Sequence, residues 1–313
     1  MLAPLDLDPR AIALQFDRRA AQFERNDYLL REIENRMLSR LEVVKIEPAQ
    51  ILDLGCGIGA GVAALGRRYP RAQVLGVDLS PKMISAAARK VLPSPGGLFS
   101  RFLNSVGAGV PSKLSFQVAD LAQLPLPDQS VDLLCSNLAF HWLIQPEAAL
   151  KDMYRVAKPG ALLMFSAFGV DTLKELRPAN APRNHPAPGG LMPFRDMHDW
   201  GDALVEVGFS EPVMDMERIT LSFAKPESLL KDLHFLAGNA LRSRFPTLSP
   251  RSLKSDLLVQ LINKQAEGRE LTLTFEVFYG HAWVAAKKRR TDGLPTIDFL
   301  PKPPRRSGPA APN

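Results

Sequence analysis

The sequence predicts an α/β fold in which helices cover a mostly parallel β-sheet. Between residues 50 and 167, short apolar segments alternate with amphipathic segments of helical length, the order typical of right-handed βαβ units. The first apolar segment ends in glycines, as a strand that turns into a helix does. With 313 residues, 46% of them hydrophobic and 23% charged, the chain is long enough to bury a large core.

Each segment carries its own indication of structure. Apolar residues recur at helical spacing across residues 10–46, which predicts two N-terminal helices. Pro81 directly after Ser80 is typical of a helix start. In this half of the chain we predict strands at 50–54, 72–77, 114–119, 131–136 and 161–167, helices at 61–69, 81–90 and 146–157, and a loop at 92–112.

The alternation breaks down after residue 168. Prolines and glycines are concentrated in residues 178–190, which predicts an irregular connection. Alternating apolar and polar residues predict a half-buried last strand at 271–285. We also predict a strand at 212–223 and helices at 194–207, 226–237 and 250–266. The domains we expect are an N-terminal helical lid at 1–46, a main domain at 47–286 with lid or substrate insertions at 168–270, and a basic, proline-rich flexible tail at 287–313.

The formal net charge of +6 is concentrated at the C-terminus, where residues 287–313 contain seven basic and two acidic side chains. Such a tail speeds encounters with an acidic partner, whether a nucleic acid or an acidic carrier protein. The rest of the chain is close to neutral, which argues against a nucleic-acid-binding protein. Cys56 and Cys135 are too few for a disulfide framework or a zinc site. Because neither a long apolar stretch nor a signal-peptide pattern is present, we expect a cytoplasmic protein without membrane contact.

The glycine-rich segment 53–61 is the most informative part of the sequence. Its glycines, which include Gly55, Gly57 and Gly59, allow a tight turn and a close approach of the backbone to a ligand. The spacing from Gly55 to Ala60 also fits a relaxed dinucleotide fingerprint. The glycines by themselves therefore leave the ligand open.

Three acidic positions narrow the choice of ligand. Asp53 ends the first strand, where it can face a cationic amino group and would repel a pyrophosphate. Asp78 ends the second strand and can accept hydrogen bonds from two ribose hydroxyls, although by itself it would suit NAD equally well. Asp120 and Leu121 follow the third strand, where a carboxylate and a backbone N–H can recognise an adenine edge. Together they predict a nucleoside with a zwitterionic, positively charged group and no phosphate, namely S-adenosylmethionine.

The sequence resembles the class I S-adenosylmethionine-dependent methyltransferases in four segments, which read DLGCGIGAG, GVDLSPKMI, VADLAQLPLPDQSVDLLCSN and YRVAKPGALLMFS. This resemblance implies a Rossmann-like, seven-stranded, mostly parallel sheet with helices on both faces and an antiparallel last strand. It makes residues 47–286 the methyltransferase domain. It also implies that Gly55 and Gly57 contact the methionine part of the cofactor, that Met83 flanks the adenine, and that Asn137 lines the site.

Further segments resemble the malonyl-acyl carrier protein O-methyltransferase family of biotin synthesis; they read FDRRAAQFERNDYLLREI, SNLAFHWL, FSAFGVDTLKELR and FEVFYGHAW. That family implies an enzyme that esterifies the free carboxylate of a malonyl thioester on acyl carrier protein. The carboxylate is ionised at neutral pH, so no catalytic general base is required. The five histidines lack metal-ligand spacing, so we expect no metal site.

Four residues are candidates for the acceptor pocket. His141 and Trp142 follow the fourth strand, Phe23 stands where many members of the family carry tyrosine, and Arg177 has the fork of donors that suits a carboxylate. FGVDTLKELR and the segment around His141 also resemble a complex I assembly factor, described as an arginine hydroxylase with a methyltransferase fold. The opening FDRRAAQFERND and the absence of a presequence favour the ester-forming enzyme over this alternative.

Overall fold

The computed structural model describes residues 8–92, 113–176, 194–229 and 270–286, together with Ala266 and Gly268. Its strands are β1 Gln50–Leu54, β2 Gln73–Asp78, β3 Lys113–Val118, β4 Val131–Asn137, β5 Ala157–Phe168, β6 Phe209–Phe223 and β7 Leu271–Val284. They form a seven-stranded sheet in the order β3-β2-β1-β4-β5-β7-β6. Strands β1 to β5 pair in parallel, whereas β7 is antiparallel to both β5 and β6. The predicted sheet, with its antiparallel last strand, is confirmed.

The helices follow the predicted order, and their ends differ from the prediction by a few residues. They are α1 Pro9–Arg19, α2 Phe23–Asn26, α3 Tyr28–Arg40, α4 Ala60–Arg68, α5 Pro81–Val91, α6 Pro146–Val156 and α7 Met197–Val207. The Ser80 hydroxyl caps α5 by accepting a hydrogen bond from Met83 N at 3.1 Å, as an N-cap serine is expected to do. The N-terminal segment differs from the two predicted helices, because a 3-10 turn at Ala20–Gln22 separates α1 from α2.

Helices cover both faces of the sheet, and each face has its own hydrophobic cluster. Alternate residues of β1 point to opposite sides, so Ile51 packs with residues of α3 and α4 while Leu52 packs with residues of α6 and α7. The second cluster contains Trp200, which is 1% exposed and meets Phe140 at a tilted angle and Phe165 edge to face. This burial on both faces explains why the central strands are almost continuously apolar.

The N-terminal helices have two different roles in the packing. Helix α3 contributes Ile33 and Met37 to the core beneath the sheet. Helix α1 instead lies against the start of α5, where an Asp17 carboxylate oxygen accepts hydrogen bonds from Ser80 Oγ at 2.5 Å and Lys82 N at 3.0 Å. The part of the segment before Asp27 is therefore docked against α5, and the predicted lid over 1–46 stays a prediction.

Several predicted elements lie outside the described residues. They are most of the loop at 92–112, the connection at 178–190, most of the helices at 226–237 and 250–266, and the tail at 287–313. None of the helices in the described ranges is long and apolar enough to span a bilayer.

Candidate active site

A cavity of about 300 Å³ lies at the carboxyl ends of the parallel strands. The sheet order reverses direction between β1 and β4, and ligands of such sheets bind outside the strand ends at this point. The predicted cofactor residues that line the cavity are Gly55, Gly57, Asp78, Asp120, Leu121 and Asn137. The predicted acceptor residues that line it are Phe23, His141 and Trp142. The two predicted groups of residues thus share one cavity.

The turn after β1 requires glycine for steric reasons. Gly55 has a φ of +73°, and a Cβ at this position would lie 2.5 Å from the Cβ of Ala139. Any side chain here would combine backbone strain with a clash against the loop after β4. Gly59 has a φ of +83° and precedes the first residue of α4; it does not belong to the described cavity wall. The glycines therefore form the turn, and two of them, Gly55 and Gly57, are exposed to the cavity.

Asp78 is held in place by backbone donors at the end of β2. Its Oδ2 accepts from Gly57 N at 3.0 Å and its Oδ1 accepts from Ser80 N at 2.8 Å. Burial raises the pKa of Asp78 to about 6, although the two backbone hydrogen bonds act in the opposite direction. The carboxylate is thus fixed at the cavity wall with lone pairs to spare, as binding to a ribose diol requires.

Asp53 lies behind the glycine turn and is 4% exposed. Its Oδ2 has no hydrogen-bond partner among the described residues. The pKa of Asp53 is raised to about 7, mainly by desolvation and secondly by the negative charge of Asp78. A buried carboxylate without a partner is costly, so this position favours a cationic ligand group nearby.

Glu34 is a second acidic residue close to Asp53, and the sequence analysis did not identify it. Asp53 Oδ2 and Glu34 Oε1 would each lie 2.7 Å from a Cβ on Gly61, so the two carboxyl groups face one another across this glycine. Burial, followed by the charges of Asp53 and Asp27, raises the pKa of Glu34 to about 8, and Lys90 opposes this shift. Glu34 lies four residues after Leu30, which lines the cavity. This helical spacing was the signal in the sequence that could have identified Glu34.

The remaining predicted cofactor residues differ in their positions. Asp120 is exposed and its Oδ1 accepts from Ala122 N at 2.9 Å. Asn137 lines the cavity and also links α3 to β4, because its side-chain amide donates to Leu30 O at 2.9 Å. Met83 is fully buried and packs with Phe23 and Ile58 rather than lining the described cavity wall. Its predicted contact with the adenine stays a prediction.

The acceptor side of the cavity is aromatic. Phe16 of α1 meets Trp142 edge to face, with ring centroids 5.2 Å apart. His141 is 7% exposed, and its Nδ1 has no partner within the described part of the chain. Burial lowers the pKa of His141 to about 3, so its imidazole is neutral at physiological pH. These side chains can enclose an acceptor and exclude water.

Helix α1 supplies cavity residues that the sequence analysis missed, namely Pro9, Ile12, Phe16 and Arg19. Their helical spacing with Phe23 was visible in the sequence, but nothing in it indicated which structure this face would cover. Arg177, the predicted carboxylate partner, lies outside the described residues. No group of histidine, cysteine and acidic side chains suited to a metal occurs among the residues that are described.

The geometry fits S-adenosylmethionine. The unpartnered Asp53 oxygen suits an ammonium group, the backbone of Gly55 and Gly57 lines the cavity, and Asp78 suits a ribose. The cavity wall, together with Asp53 two residues before Gly55, therefore offers complementary groups to three parts of this cofactor.

Comparison with known proteins agrees with this geometry. Residues 52–165 match a family model described as a methyltransferase domain. The YcgJ protein from Bacillus subtilis has the same fold, with a TM-score of 0.55 at 14% identity over 82% of this chain and 99% of that one. A second structure, of a protein from Bacillus halodurans, has a TM-score of 0.52 at 15% identity and covers 81% of this chain and 99% of that one.

Relatives of known name cover almost the whole chain. The malonyl-acyl carrier protein O-methyltransferase of Laribacter hongkongensis is 41% identical over 301 residues, which are 95% of this chain and 97% of that protein. The enzyme of the same name from a Methylovorus species is 36% identical, with 95% and 96% covered. At this identity and coverage, the chain belongs to the malonyl-acyl carrier protein O-methyltransferase family.

Proposed function

We propose that this protein transfers the methyl group of S-adenosylmethionine to the free carboxylate of malonyl-acyl carrier protein. The observation that carries the proposal is the shared cavity, in which the glycine turn and Asp78 adjoin the pocket around His141 and Trp142. A methyl donor and an acceptor must meet in line within one enclosed space. Esterification would remove the negative charge from the acyl chain.

The cofactor would bind along the strand ends. Gly55 and Gly57 would contact its methionine part, Asp78 its ribose, and Asp120 with Leu121 its adenine. Bound there, it supplies an electrophilic methyl group on a sulfonium. Asp53 and Glu34 support this pose, because one buried and one partly buried acid, both next to Gly61, favour a cationic amino group nearby.

The pocket's own chemistry suits a carboxylate acceptor. A carboxylate is already ionised at neutral pH and needs no proton removed. His141, whose pKa is lowered to about 3 by burial, is neutral and keeps the capacity to donate one hydrogen bond from its ring. Phe16, Phe23 and Trp142 would keep water away from the methyl group.

The partner in this proposal is the acyl carrier protein that the relatives' names contain. Because carriers present their acyl chains on thioesters in the cytoplasm, we place the enzyme there as well. The basic residues at 287–313 would speed the encounter with an acidic carrier. The complex I assembly factor is not favoured as an alternative, since these relatives are named as O-methyltransferases.

The test is to incubate the purified protein with S-adenosylmethionine and malonyl-acyl carrier protein and to record the mass of the carrier. We expect a gain in mass equal to one methylene group on the malonyl carrier. Acetyl-acyl carrier protein is the matched control, because it has the same thioester and no free carboxylate. Cofactor binding without any gain on the malonyl carrier would contradict the proposed function.

A further inference from the structure

The described residues place one charged side chain in the acceptor half of the cavity wall. Its wall near Trp142 is formed by apolar residues that include Ile12, Phe16, Ile144 and Phe168. His141 is neutral there, since burial keeps its pKa at about 3. Among the described residues of the wall, Arg19 is the only arginine or lysine. An anionic acceptor in this half therefore has one candidate for a charge partner.

In the sequence, Arg19 lies between two aromatic residues that line the cavity, Phe16 and Phe23. Phe16 precedes it by three residues and packs against Trp142 with ring centroids 5.2 Å apart. Phe23 follows it by four residues, and its ring atoms would be 3.8 Å from a Cβ on Gly57. Phe16 and Arg19, three positions apart within α1, share one helical face, and Phe23 follows beyond the 3-10 turn. Arg19 thus lines the cavity from the face of α1 that also carries Phe16.

A partly buried guanidinium and a carboxylate stabilise each other in such surroundings. Desolvation lowers the pKa of Arg19 to about 10, so the side chain is still a cation at neutral pH. A carboxylate transferred alone into an apolar cavity would lose its hydration without compensation. The planar fork of arginine can pair with both oxygens of a carboxylate and orient them, which a lysine does less well.

We propose that Arg19 binds the free carboxylate of the acceptor and makes the site selective for the acid over its methyl ester. This assignment rests on the proposed function. One carboxylate oxygen would attack the methyl carbon, the new O–CH3 bond would form, and the electrons of the broken S–CH3 bond would go to sulfur. No proton moves in this step. The neutral ester loses its attraction to Arg19, which promotes release of the product.

The experiment compares the binding of malonyl-acyl carrier protein and its methyl ester to the wild type and to Arg19→Met, with saturating S-adenosylhomocysteine. We expect the variant to lose about 30-fold or more in affinity for the acid and to bind the ester within about 3-fold of the wild type. Arg19→Lys should keep part of the preference for the acid. Arg18→Met is the matched control, because Arg18 is exposed on the same helix, and it should keep the full acid-to-ester ratio.

Two results would overturn the assignment while leaving the proposed function intact. In one, Arg19→Met methylates the carrier and keeps the wild-type acid-to-ester ratio. In the other, the ratio is kept and the affinity for S-adenosylhomocysteine falls, which would show that Arg19 binds the carboxylate of the cofactor. A wild-type protein that does not methylate malonyl-acyl carrier protein would overturn the proposed function, and the assignment of Arg19 with it. An unchanged unfolding temperature serves as the control for folding.

Discussion

Replacing Glu34 by glutamine should stabilise the cofactor-free protein at neutral pH. Glu34 and Asp53 face each other across Gly61, with Asp27 as a further nearby acid and Lys90 as the opposing cation. Burial and these acidic neighbours raise the pKa of Glu34 from 4.5 to about 8. The folded protein therefore keeps a proton on Glu34 that the unfolded chain releases, so this residue lowers stability as the pH rises from 4.5 towards 8.

The size of the effect follows from this difference in pKa. With values of 4.5 unfolded and about 8 folded, the ionisable group costs about 3 kcal/mol at pH 7 and about 4 kcal/mol at pH 8. At pH 5 the cost calculated in the same way is only about 1 kcal/mol. Glutamine has nearly the same shape and ionises in neither state, so the variant should unfold about 6 °C higher at pH 7.

The assay is urea and thermal unfolding of the wild type and Glu34→Gln between pH 5 and pH 8.5. Glu42→Gln is the control, because Glu42 is an exposed glutamate of the same N-terminal segment, and it should leave the pH profile unchanged. The advantage of Glu34→Gln should grow with pH. A variant that is less stable than the wild type by the same amount at every pH would refute the reasoning, since only a packing defect acts independently of pH.

Three further predictions concern the cofactor side of the cavity. Asp78→Asn should weaken the binding of S-adenosylhomocysteine by about 10- to 100-fold in calorimetry, because hydrogen bonds to a charged acceptor are lost; an unchanged Kd would exclude Asp78 from the site. Gly55→Ala should lower the free energy of unfolding by about 1–3 kcal/mol, since its Cβ would lie 2.5 Å from that of Ala139, and an undiminished urea midpoint would contradict this. Residues 10–28 should gain protection from hydrogen exchange when S-adenosylhomocysteine and the acceptor bind, whereas unchanged exchange there would count against a closing lid.

The sheet was predictable because its determinants are local. Short apolar runs such as residues 161–165 contain no polar residue, which indicates strands buried on both faces. Ser80 and Pro81 specify the start of a helix within a few residues. The N-terminal break was missed because the 3-10 turn at Ala20–Gln22 retains nearly the same side-chain spacing as a helix.

The cofactor side was also more predictable than the acceptor side. Asp78 and the glycines occupy fixed positions relative to strand ends, so the sheet topology alone brings them together. The acceptor side depends on how α1 docks, and Asp17 determines that contact through Ser80 and Lys82, residues more than sixty positions away. Periodicity shows that α1 has an apolar face, but it does not identify the surface that this face covers.

Because the docking of α1 could not be predicted from the sequence, the sequence analysis proposed Arg177 as the carboxylate partner, whereas the structure leads us to propose Arg19. Arg177 was the predicted carboxylate partner because it ends the segment after the fifth predicted strand and its fork of donors suits a carboxylate. The docked helix brings a cation from the other end of the chain to the same cavity. Because α1 carries Asp17 towards α5 and Arg19 towards the cavity, cofactor binding near Asp78 and acceptor binding at Arg19 would both favour the docked position of this helix. Each ligand should therefore strengthen the binding of the other, and this coupling should disappear when the contact of Asp17 with Ser80 is removed.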